Sequence, residues 1–323
     1  SATQWRPRWC APEEWPRRQQ GIMQIRLKYF LIPLLLAGAL VLLAKGVTYM
    51  RVKAAMDDLV DEARFAAEIT YSGISTGLLD GTAAVEGIQV RPLHGDQAIG
   101  IARAHIATDD PWFFILGGDW RTGEDPPPPH LAVSLQGIRL AIDEATLQSL
   151  QLQGPGQGGG VQQGAGACQG GGFNFDAELL QALGFEALEM DLSFDYRFDL
   201  VAERLKARVG FDLYEIESGE MSIELAGVLP QDLQGQRVSM PALVRADMRV
   251  RVAREFGDRF MKLCAGRAGL TVDSFRARLL DDLQAQFAQV GMVLGPGLLQ
   301  AMDDLYRDWG EVRLRVFPEK PLG

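Results

Sequence analysis

The chain has 323 residues, 47% of them apolar, enough for two ordinary domains with a sizeable core and too apolar for a disordered polymer. Its formal charge of −10 is uneven: residues 1–53 hold nine Lys/Arg against two acids, and residues 54–323 hold 23 against 40, so the larger part stands near −17. Such a surface repels phosphate backbones, and no basic stripe with interleaved aromatics offsets it, which argues against nucleic acid as a partner.

Residues 1–28 open with SATQWRPRWCAPEEWPRRQQGI, rich in Trp, Pro and Arg and without helical or strand period. They read as a cytoplasmic tail, its beginning either disordered or an artefact of start-site choice, because Met23 opens MQIRLKYFLIPLLLAGAL, which has the form of a signal-anchor start. From Tyr29 the run YFLIPLLLAGALVLLA carries no charge, and past Lys45 it continues to Met50. A helix over 29–50 spans roughly 33 Å, enough for a hydrocarbon core of about 30 Å if Lys45 snorkels. Residues 29–50 are therefore expected to be a single transmembrane anchor. Six bases precede it (Arg6, Arg8, Arg17, Arg18, Arg26, Lys28) and four follow (Lys45, Arg51, Lys53, Arg64), which by the positive-inside rule puts the bulk of the chain outside the cytoplasm.

Beyond the anchor, RVKAAMDDLVDEARFAAE continues as helix, and the pattern then changes to short apolar alternations. Residues 51–152 read as a β-rich module: two strands around a turn at Asp80-Gly81, then AIGIARAHIAT and HLAVSLQGIRLAID, with a short helix in DDPWFFILGGDW and a proline run that excludes helix. Residues 153–172 contain ten glycines and read as a linker with too little apolar surface to order itself. Residues 173–323 read as a second β-meander followed by helices. In LEMDLSFDYRFDL, Leu188, Met190, Leu192, Phe194, Tyr196 and Phe198 alternate with polar residues, the pattern of an antiparallel strand that packs one face. LKARVGFDLYEI, EMSIELAGV and ALVRADMRVRV extend the meander. Val272, Phe275, Leu279, Leu283 and Phe287, and then Leu298, Met302, Leu305 and Trp309, fall at helical spacing, and EVRLRVF is a last strand. The expected fold class is α+β: an N-terminal transmembrane helix, antiparallel β-meander modules and a C-terminal helical segment.

This layout, with the β opening GISTGLLDGTAAVEGIQV and the ending GEVRLRVFPEKPL, resembles proteobacterial inner-membrane-anchored periplasmic proteins of uncharacterised function and, more loosely, the AsmA-type superfamily. The resemblance implies envelope maintenance or lipid handling by an elongated, curved sheet with a greasy concave face. The chain departs from that pattern in its shortness and its C-terminal helices.

Catalytic motifs fail on context. Gly73-Ile74-Ser75-Thr76-Gly77 matches G-x-S-x-G, but no helix follows to make a nucleophile elbow. Gly154, Gly156 and Gly159 match G-x-G-x-x-G inside linker composition, with neither strand before nor helix after. His94, His105 and His130 have no zinc spacing, and the pairs Asp57-Asp58, Asp109-Asp110, Asp281-Asp282 and Asp303-Asp304 are too dispersed for calcium. The row Asp191, Asp195 and Asp199 shares a strand face that Arg197 interrupts. No cofactor and no metal is expected. Cys10 precedes the anchor, which leaves Cys168 and Cys264 either to pair in an oxidising compartment or to stay free, one of them in a helix core. The reading that results is a non-enzymatic envelope protein, single-pass in the bacterial inner membrane with its bulk periplasmic, binding a partner protein or a lipid acyl chain. The alternative is a membrane-tethered serine hydrolase centred on Ser75.

Overall fold

The computed structural model describes residues 20–77, 80–93, 98–110, 112–116, 127–142, 168, 177–230, 232, 241–289, 291 and 293–318, with side chains in the first helix from Gly38 onward except Leu40. That helix, α1, runs Gln20–Ala63 and contains the whole expected anchor segment. Among the described residues, no helix is long and apolar enough to cross a membrane. The chain divides into two compact units, Ser1–Gly46 and Val47–Gly323.

The second unit is built on one antiparallel sheet of ten strands: β1 (Ala67–Thr70), β2 (Gly73–Gly77), β3 (Thr82–Pro92), β4 (Ile99–Ala107), β5 (His130–Ala141), β6 (Ala187–Asp199), β7 (Arg204–Leu213), β8 (Glu217–Ala226), β9 (Ala242–Val252) and β10 (Glu311–Val316). From β3 to β10 each strand pairs with the next in sequence, while β1 and β2 both lie on the outer flank of β3. Local chemistry sets the turns. Asp199 accepts hydrogen bonds from the amides of Val201 and Ala202 at 3.1 and 2.9 Å and so closes the β6–β7 hairpin. In β5, Gly137 takes a φ of 60° at a bulge between Leu135 and Ile138, and its amide donates to Asp191 at 2.7 Å.

The two modules expected on either side of residues 153–172 are one sheet. β5, before that segment, and β6, after it, pair over ten positions from His130↔Arg197 to Ala141↔Ala187. Of residues 153–172 only Cys168 is described, so the linker itself lies outside the described residues.

The short helices α2 (Phe113–Leu116) and α3 (Ala177–Ala182) are followed by α4 (Arg254–Ala268), α5 (Val272–Gln289) and α6 (Pro296–Asp308). Pro296 occupies the first turn of α6, where its missing amide costs nothing. The larger core joins α3 through α6 to one end of the sheet. Phe256, Phe260 and Cys264, at four-residue spacing on α4, pack with Leu179 and Leu183 of the α3 segment, Phe275 and Leu279 of α5, Leu305 of α6, and Ile216 and Val252 at strand ends. Cys168 and Cys264 form a disulfide in that core, with Cα atoms 5.3 Å apart. A second, smaller core lies at the other end of the strands, where Leu131, Tyr196, Phe198 and Leu205 pack with Val228. Among the described residues, neither core extends over the middle of the sheet between them.

Candidate functional site

Strand register turns the alternation of single strands into rows that cross the sheet, because residues directly opposite in an antiparallel pair point to the same face. One row runs Ala83, Ile106, Val133, Phe194, Val209, Met221, Met248, Leu314 from β3 to β10. Every member is apolar. Yet Ile106, Phe194, Val209, Met221, Met248 and Leu314 are 37%, 40%, 42%, 43%, 39% and 42% exposed, values more typical of polar surface. The rows on either side are also apolar: Leu135, Leu192, Phe211, Gly219, Val250 and Val312 toward the helices, and Leu131, Tyr196, Ala207, Ile223, Ala246 and Val316 toward the smaller core. The helices cover one end of this face and the smaller core covers the other, so among the described residues a stripe of exposed apolar surface remains from β4 to β10. Six strand spacings make it about 29 Å long, and one same-face repeat makes it about 7 Å wide.

Beside the stripe, in the row toward the smaller core, stands one polar group that the apolar surroundings do not satisfy. Tyr196 is 7% exposed and its hydroxyl makes no hydrogen bond; burial pushes its ionisation up to about 12, so the group stays a neutral phenol. Glu217, on the same face opposite Leu213 and Val252, is likewise raised by burial.

The opposite face is a ladder of charges. There β6 presents Glu189, Asp191, Asp195 and Asp199 with Arg197; β7 presents Arg204, Lys206 and Arg208 with Asp212; and β8 presents Glu220 and Glu224. β9 presents Arg245, Arg249 and Arg251 with Asp247, and β10 presents Arg313 and Arg315 with Glu311. The sign alternates strand by strand until β9 and β10, which are both basic. Neighbours neutralise each other across strands: Arg208 lies 3.1 Å from Glu220, Arg204 2.7 Å from Glu224, and Glu311 is shared by Arg249 and Arg251 at 3.1 and 3.0 Å. Asp247 is shared by three guanidiniums, Arg313 at 2.7 Å, Arg315 at 3.2 Å and Arg245 at 3.3 Å. The hydrogen bonds from Arg313 hold its carboxyl down to about 2. A shallow, open hollow of about 480 Å³ lies among these groups, between Arg197, Lys206, Glu224 and Arg245.

The residues singled out in the sequence take these places. Ser75 sits in the middle of β2, exposed, opposite Ala84, so G-x-S-x-G is strand and not a strand-to-helix elbow. His105 lies opposite Ala84 on its other side and shares Ser75's face. The two are two strand spacings apart, about 10 Å, against the roughly 3 Å that a nucleophile and its base require. His105 is lowered by burial and by Arg103, and His130 Nδ1 lies 2.8 Å from Asp109 without hydrogen-bond alignment. His94 and the glycines of G-x-G-x-x-G lie outside the described residues. Among the described residues, no three or more His, Cys, Asp or Glu gather as metal ligands.

At least one carboxylate of each acidic pair is engaged in a local ion pair or turn. Asp57 accepts from Lys53 and Tyr71, Asp110 from the Trp112 amide, and Asp303 from Arg307, with Arg276 at 3.1 Å; Asp282 lies 3.9 Å from Arg278. Asp191 holds the Gly137 bulge and the Tyr214 hydroxyl, Asp195 lies 3.9 Å from Arg208, and Asp199 caps a turn. The stripe itself escaped the sequence reading. Apolar alternation announces a packed face, and only the register and the reach of the helices reveal where its side chains stay exposed. No family model matches the chain, and no curated protein matches it.

Proposed function

We propose that this is a non-enzymatic protein of the bacterial envelope, tethered at the inner membrane by the segment 29–50 with its bulk periplasmic, and that it binds lipid acyl chains along the uncovered apolar stripe. The observation that carries this reading is the row of six large apolar side chains, each more than a third exposed, in one register line across seven strands. Large apolar side chains scattered singly over a surface need no explanation, whereas six aligned in one row across the sheet have the form of a binding groove. Its shape favours a polymethylene chain over a protein. At about 29 Å by about 7 Å it offers roughly 200 Å², well short of the roughly 800 Å² per partner of a stable protein interface. A fully buried methylene contributes about 0.8 kcal/mol, and one lying on the open stripe, dry on one side only, contributes roughly half of that, so the stripe calls for a long acyl chain. The AsmA-type resemblance implies the same chemistry.

The test is native mass spectrometry of the full chain extracted in mild detergent, with displacement of a fluorescent long-chain fatty acid as the binding assay. Bound lipid, lost in Phe194→Glu and Met221→Glu while the fold is retained, supports the reading. Lipid-free protein whose binding is unchanged in both variants rejects it. Covalent labelling of Ser75 by a fluorophosphonate would install the hydrolase instead.

A further inference from the structure

We propose that the outer edge of β10 receives an extended segment of a partner protein in which acidic and apolar residues alternate, adding an eleventh strand to the sheet. This rests on the edge and on the charged face, independently of what occupies the apolar stripe.

The first observation is an edge that is unpaired among the described residues. On the far side of the sheet the edge is broken into two short strands, β1 of four residues and β2 of five, separated by Tyr71 and Ser72, a common way to blunt strand pairing. β10 is six residues without proline or bulge, and it pairs in unbroken register with β9 from Glu311↔Arg251 to Val316↔Ala246. Among the described residues, no strand pairs its other side, and five of its six residues are exposed. Half of its backbone donors and acceptors face outward, the arrangement that accepts an added strand.

The second observation is charge, and it selects the occupant. From β6 to β9 each strand's excess charge is answered by the opposite sign on the next. At the edge this stops: β9 and β10 are both basic, and Arg313, Arg315 and Arg245 share the single carboxylate of Asp247. The strand that would continue the alternation carries Asp or Glu toward Arg313 and Arg315. On the opposite face it carries apolar side chains beside Leu314 and Val316, which are 42% and 39% exposed. A second copy pairing antiparallel through its own β10 would set Arg313 against Arg313 and Glu311 against Arg315 at either end, so it answers the arginines less fully than a segment with an acid at every position on that face.

The experiment uses the full chain in detergent with three synthetic eight-residue peptides: alternating Asp and Val, alternating Lys and Val, and the acidic peptide with a central proline. Binding is read by fluorescence anisotropy and by amide hydrogen exchange of residues 311–316. The acidic peptide is expected to bind and to slow exchange in β10, with the basic and proline peptides weaker by about tenfold or more. Arg315→Glu is expected to reverse the preference between the acidic and basic peptides, a readout that loss of fold would not give. Equal affinity for both charges, protection confined to other strands, or no binding by any peptide would overturn the proposal. So would concentration-dependent protection of β10 without peptide, which would make a second copy the occupant.

Discussion

Gly257 of α4 lies against the indole of Trp309, the residue that ends α6, so closely that a methyl group on its Cα would fall on the ring. Trp309 is held there: its amide donates to the Leu305 carbonyl at 2.8 Å and its side chain is buried with Phe256 and Tyr306 in the larger core. In an exposed helix interior, Gly→Ala stabilises by about 1 kcal/mol. Here overpacking costs about 1–3 kcal/mol and reverses the sign. Gly257→Ala is expected to lower the melting temperature, and Trp309→Leu in that background to recover part of the loss, a non-additivity read from a double-mutant cycle. A higher melting temperature for Gly257→Ala would contradict the packing.

Much of the fold is legible in the sequence. The unbroken alternation from Leu188 to Phe198 is β6, and the three-and-four spacing from Val272 and from Leu298 is α5 and α6. The union of the two halves was not legible, because the cost of closing a loop grows slowly with its length and glycine composition says nothing about which strands it joins. The site was hidden for a related reason. Phe194 and Phe198 occupy the same pattern in β6, yet one is 40% exposed and the other 6%, since only Phe198 lies under the smaller core. The charge mismatch at β10 is likewise a property of register: Arg313 faces Arg249 only because Glu311 pairs with Arg251.

Asp247 ties β10 to the sheet, and its titration sets an acid limit on that tie. Its folded value, about 2, lies below the ordinary carboxylate value of 3.8 because Arg313, and then Arg245 and Arg315, stabilise the anion. A depressed carboxylate contributes stability that is fully present above its unfolded value and is lost as pH falls through the folded one. Relative to the intrinsic rate at each pH, amide exchange in residues 311–316 is therefore expected to accelerate between about pH 4 and about pH 2. In Asp247→Asn that acceleration is expected to vanish, with faster exchange already at neutral pH. Identical pH profiles for the two proteins would refute the role.

Glu217 predicts the opposite sign. Burial beside Leu213 and Val252 raises its carboxyl above 4.5, so the fold penalises the anion, and the penalty grows as pH rises through the unfolded value. Glu217→Gln is expected to raise the melting temperature at pH 7 and to leave it unchanged near pH 4. A variant less stable than the parent at pH 7 would mean that the carboxylate has a partner after all.

The Cys168–Cys264 disulfide closes a separation of 96 residues and fastens Cys168 to the core face of α4. Chain entropy alone assigns such a cross-link up to about 4.7 kcal/mol, and that term is the same whichever cysteine is removed. Burial separates the two substitutions. Cys264 has no exposed surface, so Cys264→Ser places a hydroxyl among Phe256, Phe260 and Phe275, where a lost partner costs about 1–3 kcal/mol more. Cys168 is only half-buried, and Cys168→Ser leaves an apolar thiol in the core. Denaturant unfolding of the full chain in detergent is thus expected to rank the parent above Cys168→Ser and Cys168→Ser above Cys264→Ser. Under denaturing conditions the parent holds three cysteines, of which only Cys10 is expected to react with a thiol reagent until reductant is added. Three reactive thiols without reductant would show that the bond does not form. Equal stabilities of the two variants would show that the Cys264 side chain contributes nothing beyond the cross-link.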